Sequence, residues 1–351
     1  IGKSPDNIRL YYDEILPNLK KAVFKHLQLS IEDFQICFGS NASEFFSRVV
    51  DTVKPESILI AENEFISSQR YATIRRLEGA EIHTVSLYKN EQIKRFPIPP
   101  NTDLVIFSHV DSSTQVCINR DEMEMILDTI KPECTVVIDI VQSFFNVPVD
   151  WSTILQDRPN VFLIGSMIKH SRCGEGNAFI VYHKTNKLEP KSGWTAYLSG
   201  LQSNITSTTD KLLYDERYKW NGGTPCNIRN TYIAWKTLEL APSISSQHSY
   251  VMNLHSYFKQ ESKLKCVDEL RRTESDYCSN TMCFWCDESV KELIYNLEKS
   301  GITGIDYKSV CDKAANRYII RIGMGIHNLK SDIDLLIFRL REAGFISASN
   351  D

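Results

Sequence analysis

Residues 161–182 read "VFLIGSMIKHSRCGEGNAFIVY". An apolar run ends at Gly165 and Ser166, Lys169 follows, and a glycine-bearing turn leads into a second apolar run, "NAFIVY". Short apolar runs bounded by turn residues are the pattern of buried strands. A lysine at the mouth of such a sheet is either a solvated charge or a nucleophile. The neighbouring strand ends decide between the two.

The alternation extends to both sides. "FQICFG" reads as a strand, and a polar turn and the helix "NASEFFSRVVDTV" follow it. "SILIAE", "AEIHTVSL", "DLVIFSHV" and "CTVVIDIVQ" are further strands, interleaved with the helices "SSQRYATIRRLEG" and "RDEMEMILDTI". Strands with near-continuous apolar cores, alternating with helices, predict an α/β fold whose mostly parallel central sheet is sandwiched by helices. Helical spacing of apolar residues over 8–28 predicts a leading helix.

After "NGGTPCN" at 221–227 the pattern changes. A long helix begins at "NTYIAWKTLELA". Then come the strand "TMCFWC", the helix "ESVKELIYNLEKSG", the strand "RYIIRIG" and the helix "KSDIDLLIFRLREAG". We expect a large domain over 1–229 and a smaller α+β domain over 230–351, with the leading helix able to pack on the latter.

Composition narrows the function. At 351 residues and 42% hydrophobic composition the chain can bury a large core. A net charge of −4 gives no reason to expect nucleic acid or an anionic membrane as partner. No apolar run approaches the roughly 20 residues needed to span a bilayer. No secretory leader opens the sequence, and the ten cysteines are scattered, which fits a cytoplasmic protein. Cys278, Cys283 and Cys286 lie close together, but zinc needs four ligands and no second pair follows; "TMCFWC" reads instead as a buried strand, so no metal is expected.

A parallel sheet binds ligands outside the carboxyl ends of its strands. There stand "GSNASE", "SHVDSST", "IDIVQ" and "GSMIKH". The first opens a helix, where backbone N–H groups hold phosphate, although Ser and Asn are also ordinary N-caps. Asp139, at a buried strand end, needs a partner: a salt bridge, a cap, or a protonated ring nitrogen. Gln142, three residues on, can reach the same ligand. Lys169 can form a Schiff base. A phosphate cup, a carboxylate for a pyridinium and a Schiff-base lysine are together what pyridoxal phosphate (PLP) requires. No dinucleotide or P-loop glycine motif occurs.

In order and spacing, "SNASE", "DIVQ", "SMIK", "GGTP" and "RIG…HN" resemble the class V aminotransferase branch of fold-type I PLP enzymes, with its cysteine desulfurases and kynureninase. The resemblance covers nearly the whole chain. It implies that Ala42 and Ser43 cup the phosphate with help from Ser166, that Asp139 pairs with the ring nitrogen and Gln142 with the ring hydroxyl, and that Lys169 carries the cofactor as an imine. It further implies that Phe65 stacks on the ring, that Arg321 forks onto the substrate α-carboxylate, and that Thr224 reaches the cofactor of a partner subunit in a homodimer. Gly193 and Trp194 resemble a Gly-Trp pair of some relatives.

Departures bear on chemistry. Ile168 stands beside the lysine where many members carry a histidine, and Phe65 replaces the stacking histidine of desulfurases. Asp111 stands where relatives often carry an uncharged polar residue, and can impose its own substrate preference. The stretch before the phosphate turn is shorter than in relatives, and the chain opens at Ile1 rather than a methionine, so an upstream segment is expected. Cys311 and Cys173 are the thiols nearest the motif residues, and neither fits a desulfurase nucleophile well. The expected activity is transamination of a small amino acid. Its alternatives are β-elimination of desulfurase or kynureninase type, epimerisation, or a non-catalytic PLP-fold binding protein.

Overall fold

In a computed structural model of the chain, the described residues are 9–62, 64–86, 88–89, 92–93, 98–190, 219–220, 227–262, 279–286, 290–299, 301–302, 305–309 and 318–343. The strands read from the sequence form a seven-stranded sheet. Its members are β1 (Phe34–Gly39), β2 (Ser57–Ala61), β3 (Glu81–Val85), β6 (Leu104–Ser108), β7 (Thr135–Asp139), β8 (Val161–Ser166) and β9 (Ala178–His183), in the order β1-β9-β8-β7-β6-β2-β3. Between β3 and β6, β4 (Tyr88–Lys89) and β5 (Gln92–Ile93) form a short hairpin. The five strands from β8 to β3 run parallel, while β9 is antiparallel to both β8 and β1.

Side chains of one strand divide between two cores, as period-two alternation requires. Val136 and Ile138 of β7 join the core that also holds Leu59, Val105, Leu163 and Val181. Val137 joins the opposite core with Ile58, Ile106, Ile164 and Ile180. Both faces are therefore dry, and the strands must be apolar throughout. Gly165 marks a close approach: a Cβ there would lie 2.2 Å from the Phe179 ring of the facing strand.

The leading segment begins as a π-helical turn, Tyr11–Ile15, and continues as the helix Leu16–Leu27. It packs on the helix Ile228–Leu240, whose Ala234, Trp235 and Leu238 lie in the first core with Leu19 and Val23. His26 Nε2 meets the Leu238 carbonyl at 2.9 Å. The long helix expected from residue 230 is two helices, Ile228–Leu240 and Ile244–Ser262, because Ala241 turns extended before Pro242. Beyond it, β10 (Thr281–Cys286), β11 (Ile305–Ser309) and β12 (Tyr318–Gly323) form an antiparallel sheet in the order β10-β12-β11. The helices Ile244–Ser262, Val290–Lys299 and Lys330–Glu342 share a separate core with it. Among the described residues no helix is long and apolar enough to cross a membrane.

Candidate active site

Strand register brings the polar strand ends together. Ser108 at the end of β6 lies beside Asp139 at the end of β7, and β8 ends one strand further at Ser166. Asp139 is buried, and its Oδ1 accepts the Val141 N–H at 2.7 Å. Its Oδ2 has no hydrogen-bond partner among the described residues. Burial raises the Asp139 carboxyl to about 6, against the opposing pull of the Val141 bond and the Lys169 charge.

Lys169 lies in the loop after β8, and its Nζ sits 5.7 Å from the centroid of the Phe65 ring. Phe65 is the N-cap of the helix Ile66–Leu77 and is 41% exposed. The helix Ala42–Val53 begins next to it, and Ser43 Oγ donates to Ser67 Oγ at 2.9 Å. Asn41 caps that helix by accepting from the Glu44 N–H. Ala42 and Ser43 occupy its first turn, where the backbone N–H groups have no partner within the helix. Two helix starts thus face one corner of the sheet edge.

Ser166 is buried, and its Oγ accepts from the Ile168 N–H at 3.4 Å. Gln142 is half-buried, with Oε1 3.4 Å from His170 Nε2. Burial and the charges of Lys169 and Arg172 lower His170 to about 3, so its ring is neutral. Arg321 reaches the turn after β6 from the small sheet. Its Nε donates to Asp306 Oδ1 at 2.6 Å, its Nη2 to Asp306 Oδ2, and its Nη1 to the Ser112 carbonyl. The fork expected to meet a substrate carboxylate meets a carboxylate of the chain itself. Asp111, expected to bear on substrate preference, anchors its own turn through one oxygen: Oδ1 accepts from the Ser113 and Thr114 N–H groups and from Thr114 Oγ1. Cys173 is buried, and burial raises its thiol. Thr224, Gly193, Trp194 and Cys311 lie outside the described residues.

One site residue was not anticipated. Glu64 follows β2 and is buried, with Oε1 accepting the Ser108 N–H at 2.5 Å and Oε2 lying 2.6 Å from Ser108 Oγ. Burial, reinforced by the nearby Asp139 charge, raises its carboxyl to about 8. The only sequence signal was position: "ENEF" directly follows an apolar strand on the ligand edge.

A buried carboxylate with a spare oxygen, a lysine acting on it, an aromatic face and two adjacent helix starts form a donor set that suits PLP. Comparison with known proteins agrees. The sequence matches the family described as aminotransferase class-V over residues 13–336. The chain belongs to the class V aminotransferase family. Members of this family are PLP-dependent enzymes. No curated protein matches the sequence. Among solved structures, the class V chain is similar to the cysteine desulfurase CsdA of Escherichia coli at 14% identity, covering 99% of this chain and 88% of that one, with a TM-score of 0.76. It is also similar to a phosphoserine aminotransferase of Cytophaga hutchinsonii, at 13% identity over 97% and 90% of the two chains and a TM-score of 0.66. A C-DES variant with glycine covalently linked to its PLP cofactor matches at 14% identity, over 96% and 87%, with a TM-score of 0.73.

Proposed function

We propose that this class V enzyme transaminates a small amino acid, with PLP attached to Lys169. The observation that carries the reading is Lys169 beside the Phe65 ring on the sheet edge where Asp139 ends its strand, close enough for its charge to act on that carboxyl. PLP, when bound, supplies an electron sink for the pair left at Cα when its proton departs. Lys169 Nζ would take that proton and return it to another carbon, the choice that separates transamination from epimerisation. Asp139, with Oδ1 held by Val141, would keep a proton on the ring nitrogen through Oδ2. Ala42, Ser43 and Ser166 would hold the phosphate, Phe65 would stack, and Gln142, fixed by neutral His170, would meet the ring hydroxyl.

Desulfurase chemistry needs an exposed thiolate. Among the described residues Cys37, Cys117, Cys134, Cys173 and Cys283 are all buried, so none of these five is placed to be such a nucleophile. A cytoplasmic homodimer completed by Thr224 belongs to the same proposal, as does a division into large and small domains. The packing of Ile228–Leu240 on the first core favours placing that helix with the large domain.

The test is covalent. Purified protein given PLP should develop an imine absorbance band, and borohydride should fix the cofactor to Lys169 in a peptide map. Lys169→Ala should lose the link. An adduct on another lysine would refute the assignment.

A further inference from the structure

We propose that His170, Asn146 and Ser279 are positioning residues: they hold the Gln142 amide with its N–H side toward the cofactor's ring oxygen, and they tie that setting to the small sheet. This rests on the reading of Gln142 as the partner of the ring oxygen and of Lys169 as the cofactor lysine. Asn146 is buried in the loop after β7, and its amide has one orientation, because Oδ1 accepts the Asn280 N–H at 2.9 Å. Nδ2 then has two protons to give. Its nearest acceptors are the Gln142 carbonyl at 2.8 Å and Ser279 Oγ at 3.2 Å.

His170 Nε2 comes third, 3.5 Å from Asn146 Nδ2 and 3.4 Å from Gln142 Oε1. With both amide protons placed elsewhere, the imidazole is the donor: Nε2 carries the proton and Gln142 Oε1 accepts it. Burial and the neighbouring charges of Lys169 and Arg172 keep the ring neutral, so a single tautomer serves. The opposite Gln142 orientation would set its NH2 against the imidazole N–H, donor against donor. Gln142 therefore keeps its NH2 on the other side, where a ring oxygen would be met.

Ser279 carries the link onward. It is wholly buried just before β10, and its Oγ donates to Gln115 Oε1 at 2.8 Å. The same oxygen accepts from Asn146 and from the Thr281 N–H, each at 3.2 Å. Gln115 Nε2 in turn donates to the Asp111 and Ser112 carbonyls, both at 3.2 Å. Its backbone is left-handed, at φ 59°, a conformation that residues other than glycine hold at a cost. One serine thus joins the start of the small sheet to the turn after β6 and the loop after β7. A buried polar chain whose members all have partners fixes one geometry. A shift of residues 279–280 would release Asn146, and with it the Gln142 amide.

Two readouts test this. NMR of protein carrying nitrogen-labelled histidine reads the tautomer, the His170 signal being identified by its loss in His170→Gln. His170 should carry its proton on Nε2 and stay neutral at about pH 5. In the PLP-loaded enzyme the ring oxygen holds the imine proton, and an outside N–H draws charge from that oxygen. His170→Phe and Ser279→Ala should therefore each raise the pH at which the imine band titrates, by roughly half to one unit, the size of one neutral hydrogen bond. His170→Gln, whose amide N–H replaces the Nε2 donor, should restore the wild-type value. A purely structural seam would lower the unfolding midpoint and leave the imine titration unmoved. That result overturns the proposal, as does a His170 proton on Nδ1. If borohydride leaves no adduct on Lys169, the cofactor reading falls, and the tautomer alone then decides whether His170 sets Gln142.

Discussion

Arg321 and Asp306 face each other across β12 and β11, and the guanidinium forks onto the carboxylate with Nε to Oδ1 at 2.6 Å. A third donor ties the same arginine to the Ser112 carbonyl of the large unit. The geometry describes a clamp between the small sheet and the turn at residues 111–115. Asp306 is half-exposed, so the pair is screened and contributes about 1 kcal/mol. Asp306→Asn should therefore lower the unfolding midpoint by a few degrees and leave cofactor binding intact. Thermal denaturation read beside the imine band checks both halves, and loss of the band would mean that Arg321 serves the site directly.

Glu64→Gln should change how stability depends on pH. The folded carboxyl titrates at about 8, while an unfolded one titrates near its ordinary value of 4.5. Between those two the native state keeps a proton that the unfolded state releases, so the wild type loses stability as pH rises through that window. Below it the penalty is absent, and above about 8 it is complete. Glutamine carries no such cost, and its amide can still accept from the Ser108 N–H and donate to Ser108 Oγ. Urea denaturation should show the variant gaining on the wild type by roughly 2–5 kcal/mol between pH 5 and pH 9. Parallel curves would mean that Glu64 is ionised and paired.

Gly165→Ala probes the sheet under the lysine loop. The new methyl would meet the Phe179 ring at 2.2 Å, inside a strand pair buried on both faces. Neither ring nor backbone can yield without disturbing Phe144, which packs edge-on against Phe179 at 4.7 Å. Overpacking of this kind costs about 1–3 kcal/mol. A lowered midpoint with weaker PLP retention is expected, because Ser166 and Lys169 follow on the same chain segment. A wild-type midpoint would show that the strands separate easily.

The architecture was legible because each central strand is apolar along its whole length. Continuous runs such as "TVVID" and "VFLIG" state that both faces are covered, and the polar residues at their ends mark the ligand edge. What was hidden depends on distant pairing. Glu64 drew no reading from the sequence, because Ser108, its hydrogen-bond partner, lies 44 residues away. The strand "IDYKS" was not read at all: its alternation is short and polar, and without it the partner of Arg321 was invisible. The sequence placed Asp111 on the ligand edge, but not the bonds by which its Oδ1 holds the turn through the Ser113 and Thr114 N–H groups.

Asp139→Asn tests the centre of the proposed chemistry. The change is isosteric, and Oδ1 can go on accepting the Val141 N–H, so the loop after β7 should keep its course. Burial raises the wild-type carboxyl, and an amide escapes that penalty, so the variant should be at least as stable as the wild type near neutral pH. What the amide lacks is the negative charge that would hold a proton on the ring nitrogen. Turnover should fall by a factor of about 100 or more, the scale of losing a positioned acid–base group. The borohydride adduct on Lys169 should still form, because that bond does not need the ring proton. Stability, adduct and turnover measured on one preparation separate the alternatives. A stable variant with a normal adduct and near-normal kcat would leave Asp139 as a strand-end cap for Val141 and nothing more.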